Sequence, residues 1–173
     1  MLRIKLLGAA FLLLAGWEAG RGWLRRKRAA IAALEEMASD LISVQSLIVL
    51  ERRPIAEILN RLCEGSAEKT RLYQSISRRL QAGESTSLRG IFAQEAAAAE
   101  RALHLKKQEL AGFVFGADAI EQSDPERCRS QLECAAEMLR RAAAERREEF
   151  TRRAAMIRGV FLLGAAAICL LLL

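Results

Sequence analysis

The chain has 173 residues, enough for one modest domain with terminal extensions, and its 52% hydrophobic but only 5% aromatic content with two prolines points to an Ala/Leu-rich helical protein. A net charge of +6 invites a nucleic-acid partner, but residues 21–28 hold five Lys/Arg, residues 146–158 hold five, and Arg3 and Lys5 add two. Residues 29–145 carry 15 basic and 18 acidic side chains, a net of −3, so the central domain lacks the basic face that nucleic-acid binding needs.

The chain opens with MLRIKLLGAAFLLLAGW. Its uninterrupted apolar stretch, residues 6–17, is shorter than the roughly 20 residues of a typical membrane span. Ile4 with a snorkelling Lys5, or residues 18–23, can complete the span, and Trp17 and Trp23 fall where an interfacial belt would lie. Residues 1–24 are therefore read as an N-terminal membrane anchor. The alternative is a cleaved signal peptide, with a basic start, an apolar centre and the small residues Ala15 and Gly16. Arg21, Arg25, Arg26, Lys27 and Arg28 directly downstream resist translocation and favour the anchor.

Residues 25–155 are read as a cytoplasmic domain. A helix is predicted from Ala29 to about Leu50, with Leu34, Met37, Leu41, Val44 and Ile48 on one stripe and Glu35, Glu36 and Asp40 off it. Pro54 ends that helix at its preceding residues and starts a short second one bearing Ile55, Ile58, Leu59 and Leu62, stopped at Gly65. Residues 66–81 form a third, with Leu72, Ile76 and Leu80 on one face and Gly83 as its stop. Thr86 or Ser87 can cap a fourth helix, followed by Leu88, Ile91, Phe92 and Glu95. The segment EAAAAERAL holds no breaker, so the fourth boundary is open; a fifth helix is expected from Leu103 to about Ile120. There, Gly112 and Gly116 either bend the helix or allow close packing against a neighbour. Period-two alternation is absent, and the short connections favour an all-α bundle of about six helices.

The last fifty residues organise the rest. Asp124 can cap a helix, Pro125 suits its first turn, and no Pro or Gly follows until Gly159. An unbroken helix from there would run roughly 70 Å. It ends in GVFLLGAAAICLLLL, and residues 156–173 are read as a C-terminal anchor. Both basic clusters face the middle of the chain. The middle is accordingly expected in the cytoplasm, with both termini on the far side and the clusters attracted to anionic membrane lipids.

No catalytic, cofactor-binding or metal-ligating set is apparent. His104 is the only histidine, and Cys63, Cys128, Cys134 and Cys169 make no C-x-x-C pair. No nucleophile setting or Gly-rich phosphate loop stands out. A non-enzymatic interaction protein is expected. Its candidate partner surface is the turn at Gly83, bracketed by Arg78, Arg79 and Arg89, with Glu84, Thr86 and Ser87 adding polar groups. The plainer alternative is that these arginines are only solvated.

In order and spacing these features resemble the stage III sporulation protein AB family. The likeness covers nearly the whole chain: LLGA at residues 6–9, the hinge LISVQSLIVLERRPIAEIL, TSLRGIF at 86–92 beside the family's Thr-Ser-Leu-Arg-Glu-Ala-Trp, then Phe115-Gly116, Ser123-Asp124, the long helix and the Gly/Leu-rich tail. Departures occur at Leu47-Ile48, Ala119-Ile120 and Cys128. The resemblance implies a helical domain like the cytoplasmic domain of the type II secretion F platform protein. It further implies a place in the secretion-like complex between mother cell and forespore, in the mother-cell (outer forespore) membrane. Stage III sporulation protein AA, a cytoplasmic ATPase, and other members of that complex are the implied partners, and a homo-oligomer is compatible with it. A membrane-bound helical signalling protein is the alternative, disfavoured because the topology leaves so few residues outside.

Overall fold

A computed structural model describes the backbone of residues 2–51, 54–63, 66–83, 87–122 and 124–172, and the side chains of residues 22, 24–48, 54–63, 66–83, 87–122 and 124–153. Among these residues there are six helices and no strand: α1 (Leu2–Glu51), α2 (Ile55–Arg61), α3 (Ala67–Gln81), α4 (Leu88–Leu103), α5 (Ala111–Ile120) and α6 (Pro125–Leu172). The chain divides into two compact units. One is Ala29–Ala144; the other joins Met1–Arg28 to Glu145–Leu173.

In the first unit, the stripe predicted on α1 is the buried one: Leu34, Met37, Leu41 and Val44 are in the core, and Ile48 is half-buried. The helix does not begin at Ala29, however. It runs unbroken from Leu2, because Gly8, Gly16, Gly20 and Gly22 each cost only about 1 kcal/mol relative to Ala and no proline intervenes. Pro54 then sets up α2, its carbonyl accepting from the Glu57 and Ile58 amides. Ile58 and Leu59 are buried, and the helix stops at Arg61, with Gly65 outside the described residues. Ser66 caps α3 by accepting from the Lys69 amide, and Gly83 ends it at φ +68°, a left-handed conformation that glycine adopts without a Cβ penalty.

Ser87 caps α4, its hydroxyl accepting from the Gly90 amide. The far end corrects the expected boundary. Leu103 belongs to α4, and the fifth helix starts only at Ala111. His104 adopts a left-handed φ of 54°, its amide donating to the Arg101 carbonyl while that of Leu105 donates to Glu100, which closes the helix without glycine. A breaker of this kind leaves no compositional mark.

Of the two roles open to Gly112 and Gly116, close packing is the one seen. A Cβ on Gly112 would lie 2.8 Å from the Ala135 carbonyl oxygen and 3.0 Å from Met138 Cβ, both on α6. One on Gly116 would lie 2.9 Å from Leu41 Cδ2 on α1. The α5 backbone is thus wedged between the two long helices. Phe113 stacks on Tyr73 and Phe92, with ring centroids 5.9 and 4.9 Å away, joining α3, α4 and α5 in one aromatic core. Asp124 caps α6 as expected, accepting from the Glu126 amide at 3.1 Å, and Cys128, Leu132, Ala135, Ala136, Leu139 and Ala143 form its buried stripe.

In the second unit the first part of α1 meets the last part of α6. The Arg28 guanidinium lies 5.7 Å from the centroid of the Phe150 ring. Arg152 and Arg153 pair with Glu148 and Glu149 one turn back. The side chains of the expected anchors, residues 1–24 and 156–173, lie outside the described set apart from Gly22 and Leu24. Among the described residues no helix is long and apolar enough to cross a membrane.

Candidate docking surface

The residues singled out in sequence sit where α3 ends and α4 begins, but they do different work. Arg78 is exposed. Arg79 is half-buried and ties α3 to α4, donating to Glu95 Oε1 at 3.0 Å and to Gln94 Oε1 at 2.8 Å. Ser75 reinforces that tie by donating to the other Glu95 oxygen at 2.6 Å. Ser87 is spent on its cap. Arg89 pairs with Asp118 of α5 yet keeps 61% of its side chain exposed. Glu84 and Thr86 lie outside the described residues. The Leu88 amide donates to Glu121 Oε1 at 2.8 Å, so the start of α4 is also tied to the end of α5. The corner is therefore stiff, with Arg78 and Arg89 as its outward charges.

From Arg89 a groove of about 420 Å³ runs between α4 and α5. Ala93, Ala96 and Ala97 form one wall and Leu110, Val114 and Phe115 the other, with Glu100 and Lys107 also at its margin. The sequence signal was the alanine run itself. Small side chains on one face of a packed helix leave a trough that larger ones would fill.

A second feature escaped the sequence reading. Lys69 is only 4% exposed, and its ammonium donates to Asp40 Oδ2 at 3.0 Å. The Tyr73 hydroxyl donates to the same oxygen at 2.8 Å. Glu36 Oε2 lies 3.3 Å from the ammonium, close enough for attraction but not aligned for a hydrogen bond. Asp40 and Glu36 thus face a buried cation rather than forming only a solvated edge. Burial raises the Asp40 pKa above the ordinary carboxylate value, against the opposing pull of the Lys69 and Tyr73 hydrogen bonds. Burial, followed by the Asp40 charge, pushes the Tyr73 hydroxyl well above its usual value. The clue was available: Lys69 shares a helical stripe with Leu72, Tyr73 and Ile76, and a cation there must find an acid.

Cys63, Cys128 and Cys134 are free thiols. Burial raises the pKa of Cys63 and Cys128, which makes them poor nucleophiles. Cys169 falls outside the described side chains. Among the described residues no group of three or more His, Cys, Asp or Glu could hold a metal ion. The arrangement offers a rigid, charged corner and an apolar trough, which is the equipment of a binding surface.

A family model for stage III sporulation protein AB matches residues 5–173. A solved structure titled "Stage III sporulation protein AB (SpoIIIAB)" is similar in fold, with a TM-score of 0.55 and 17% identity, covering 73% of this chain and 94% of that one. No curated protein matches the chain. The family match spans nearly the whole length and agrees in order with the motifs read from the sequence: the chain belongs to the stage III sporulation protein AB family, and its role lies in sporulation.

Proposed function

We propose that this protein is a non-enzymatic, membrane-anchored helical platform of the secretion-like complex between mother cell and forespore. Residues 1–24 and 156–173 hold it in the mother-cell (outer forespore) membrane, with both termini on the far side. The unit Ala29–Ala144 stays in the cytoplasm and docks the ATPase, stage III sporulation protein AA. The observation that supports docking at the α3–α4 corner is its stiffness: Arg79, Glu95 and Ser75 fix the two helices together, and Arg78 and Arg89 still point outward. Such a surface loses little conformational entropy when a partner binds.

Charge substitution tests it, and the variants must spare the internal ties. Arg79 is unsuitable, because its reversal would break the α3–α4 link. Arg78→Glu with Arg89→Gln spares the Arg79 link: the Arg89 side chain is 61% exposed, and a neutral replacement sets no like charge beside half-buried Asp118. The double variant should bind the ATPase about tenfold more weakly, with unchanged helical content. Wild-type binding should also weaken with added salt, because exposed charges are screened over about 8–10 Å at physiological ionic strength. Unchanged affinity at both salt concentrations would place the docking face elsewhere.

A further inference from the structure

We propose that the helix pair formed by residues 24–28 of α1 and 145–153 of α6 is a binding surface for anionic lipid headgroups. The proposal rests on the reading of the two terminal apolar runs as membrane anchors. Its basis is a charge separation between the two compact units. Met1–Arg28 with Glu145–Leu173 carries 12 basic and 4 acidic side chains, a net of +8, whereas Ala29–Ala144 carries 15 and 17, a net of −2.

Each basic run taken singly orients a neighbouring apolar segment and is drawn to an anionic surface. The fold does something further with them. The runs lie at opposite ends of the chain, yet they come together in one unit, where Arg28 sits over Phe150. The two stretches hold Arg25, Arg26, Lys27 and Arg28 from α1 and Arg146, Arg147, Arg152 and Arg153 from α6, against three glutamates. Glu148 and Glu149 pair with Arg152 and Arg153, so the net charge of this short helix pair is +5. Arg25, Arg26, Arg28, Arg147, Arg152 and Arg153 are exposed. Seven of the eight basic residues are arginines, whose planar, forked donors suit phosphate oxygens.

Position selects lipid over other polyanions. Both stretches run directly into the apolar runs, the first preceded by residues 6–17 and the second followed by 159–173. With those runs in a bilayer, the arginines sit at the level of the headgroups, where an anionic surface attracts them within about a Debye length. A DNA or RNA helix would have to compete for the same narrow zone against the membrane itself.

Trp17 and Trp23, the only tryptophans, are native donors for energy transfer to dansyl-labelled lipid. The full chain would be reconstituted in phosphatidylcholine vesicles carrying a trace of either dansyl-phosphatidylglycerol or dansyl-phosphatidylcholine. Transfer to the anionic probe should exceed transfer to the neutral one by about twofold at low salt. The excess should vanish in about 0.5 M salt. It should also shrink in Arg26→Gln/Arg152→Gln/Arg153→Gln, a variant confined to exposed side chains, while inorganic phosphate at matched ionic strength should leave it intact. Equal transfer to both probes would overturn the inference and leave the anchors standing. Transfer to neither would overturn the anchor reading and this surface with it. Loss of the excess on adding inorganic phosphate, or a short DNA duplex at matched ionic strength, would assign the arginines to a free anion or to nucleic acid and overturn the lipid proposal.

Discussion

Replacing Lys69 by methionine should lower the stability of the helical unit by roughly 3–5 kcal/mol at neutral pH, because it strands a buried carboxylate. Asp40 loses its ammonium donor at 3.0 Å and keeps only the Tyr73 hydroxyl, while Glu36 becomes a like charge with nothing between them. The pH dependence has a definite sign. The folded-state pKa of Asp40 is already raised by burial, and removing Lys69 takes away two of the influences that lower it. The folded state therefore holds the Asp40 proton more tightly than the unfolded state does. Its stabilising effect is present below the unfolded pKa and is lost as pH rises through the folded one. The gap between variant and wild type should accordingly be widest near pH 7 and narrow on acidification through the carboxylate range, where a protonated Asp40 no longer needs a cation. Replacing Lys69, Asp40 and Tyr73 together by Met, Leu and Phe should cost less than Lys69→Met alone, since the only group then left without its partner is Glu36, whose side chain is 39% exposed. Urea melts at neutral and acidic pH measure all of this; a Lys69→Met cost below about 1 kcal/mol at pH 7 would mean that the pair is solvated.

Leu139→Ala should cost roughly 2–5 kcal/mol and fall in the upper half of that range. The side chain is 0% exposed, and its Cγ lies 3.2 Å from where a Cβ on Gly112 would be. The wall facing Leu139 is therefore backbone. A backbone already pressed between two long helices cannot move in to fill a cavity, so the void persists and the penalty stays near its maximum. Leu132→Ala, equally buried, belongs to the same class. The same melts measure both, and near-zero cost at both positions would mean that α6 does not pack on the bundle.

These two predictions also mark what was legible in the sequence. The stripe on α1, the Ser87 and Asp124 caps and the Gly83 stop follow from periodicity and cap chemistry, which are local. His104 was not legible, because its left-handed conformation is imposed by the packing of Leu103 and Leu105, both buried, on either side. The Lys69–Asp40 pair joins residues 29 apart, and no local rule links them. The roles of the arginines near Gly83 were opaque for the same reason: Arg79 and Arg89 find partners 16 and 29 residues away, and only the fold says which charges are spent. The choice between bending and packing at Gly112 and Gly116 likewise needed the neighbouring helices.

The proposed cytoplasmic platform held by two terminal anchors is tested most directly at Cys134. That thiol is exposed on α6 within the Ala29–Ala144 unit, whereas Cys128 is buried. Exchanging Cys63 and Cys169 for serine leaves Cys134 as the exposed thiol, and the Cys63 replacement can still donate to the Leu59 carbonyl. A membrane-impermeant maleimide applied to sporulating cells should label this protein only after the membrane is permeabilised. Labelling of Cys134 in intact cells would put the unit on the opposite side and contradict the account.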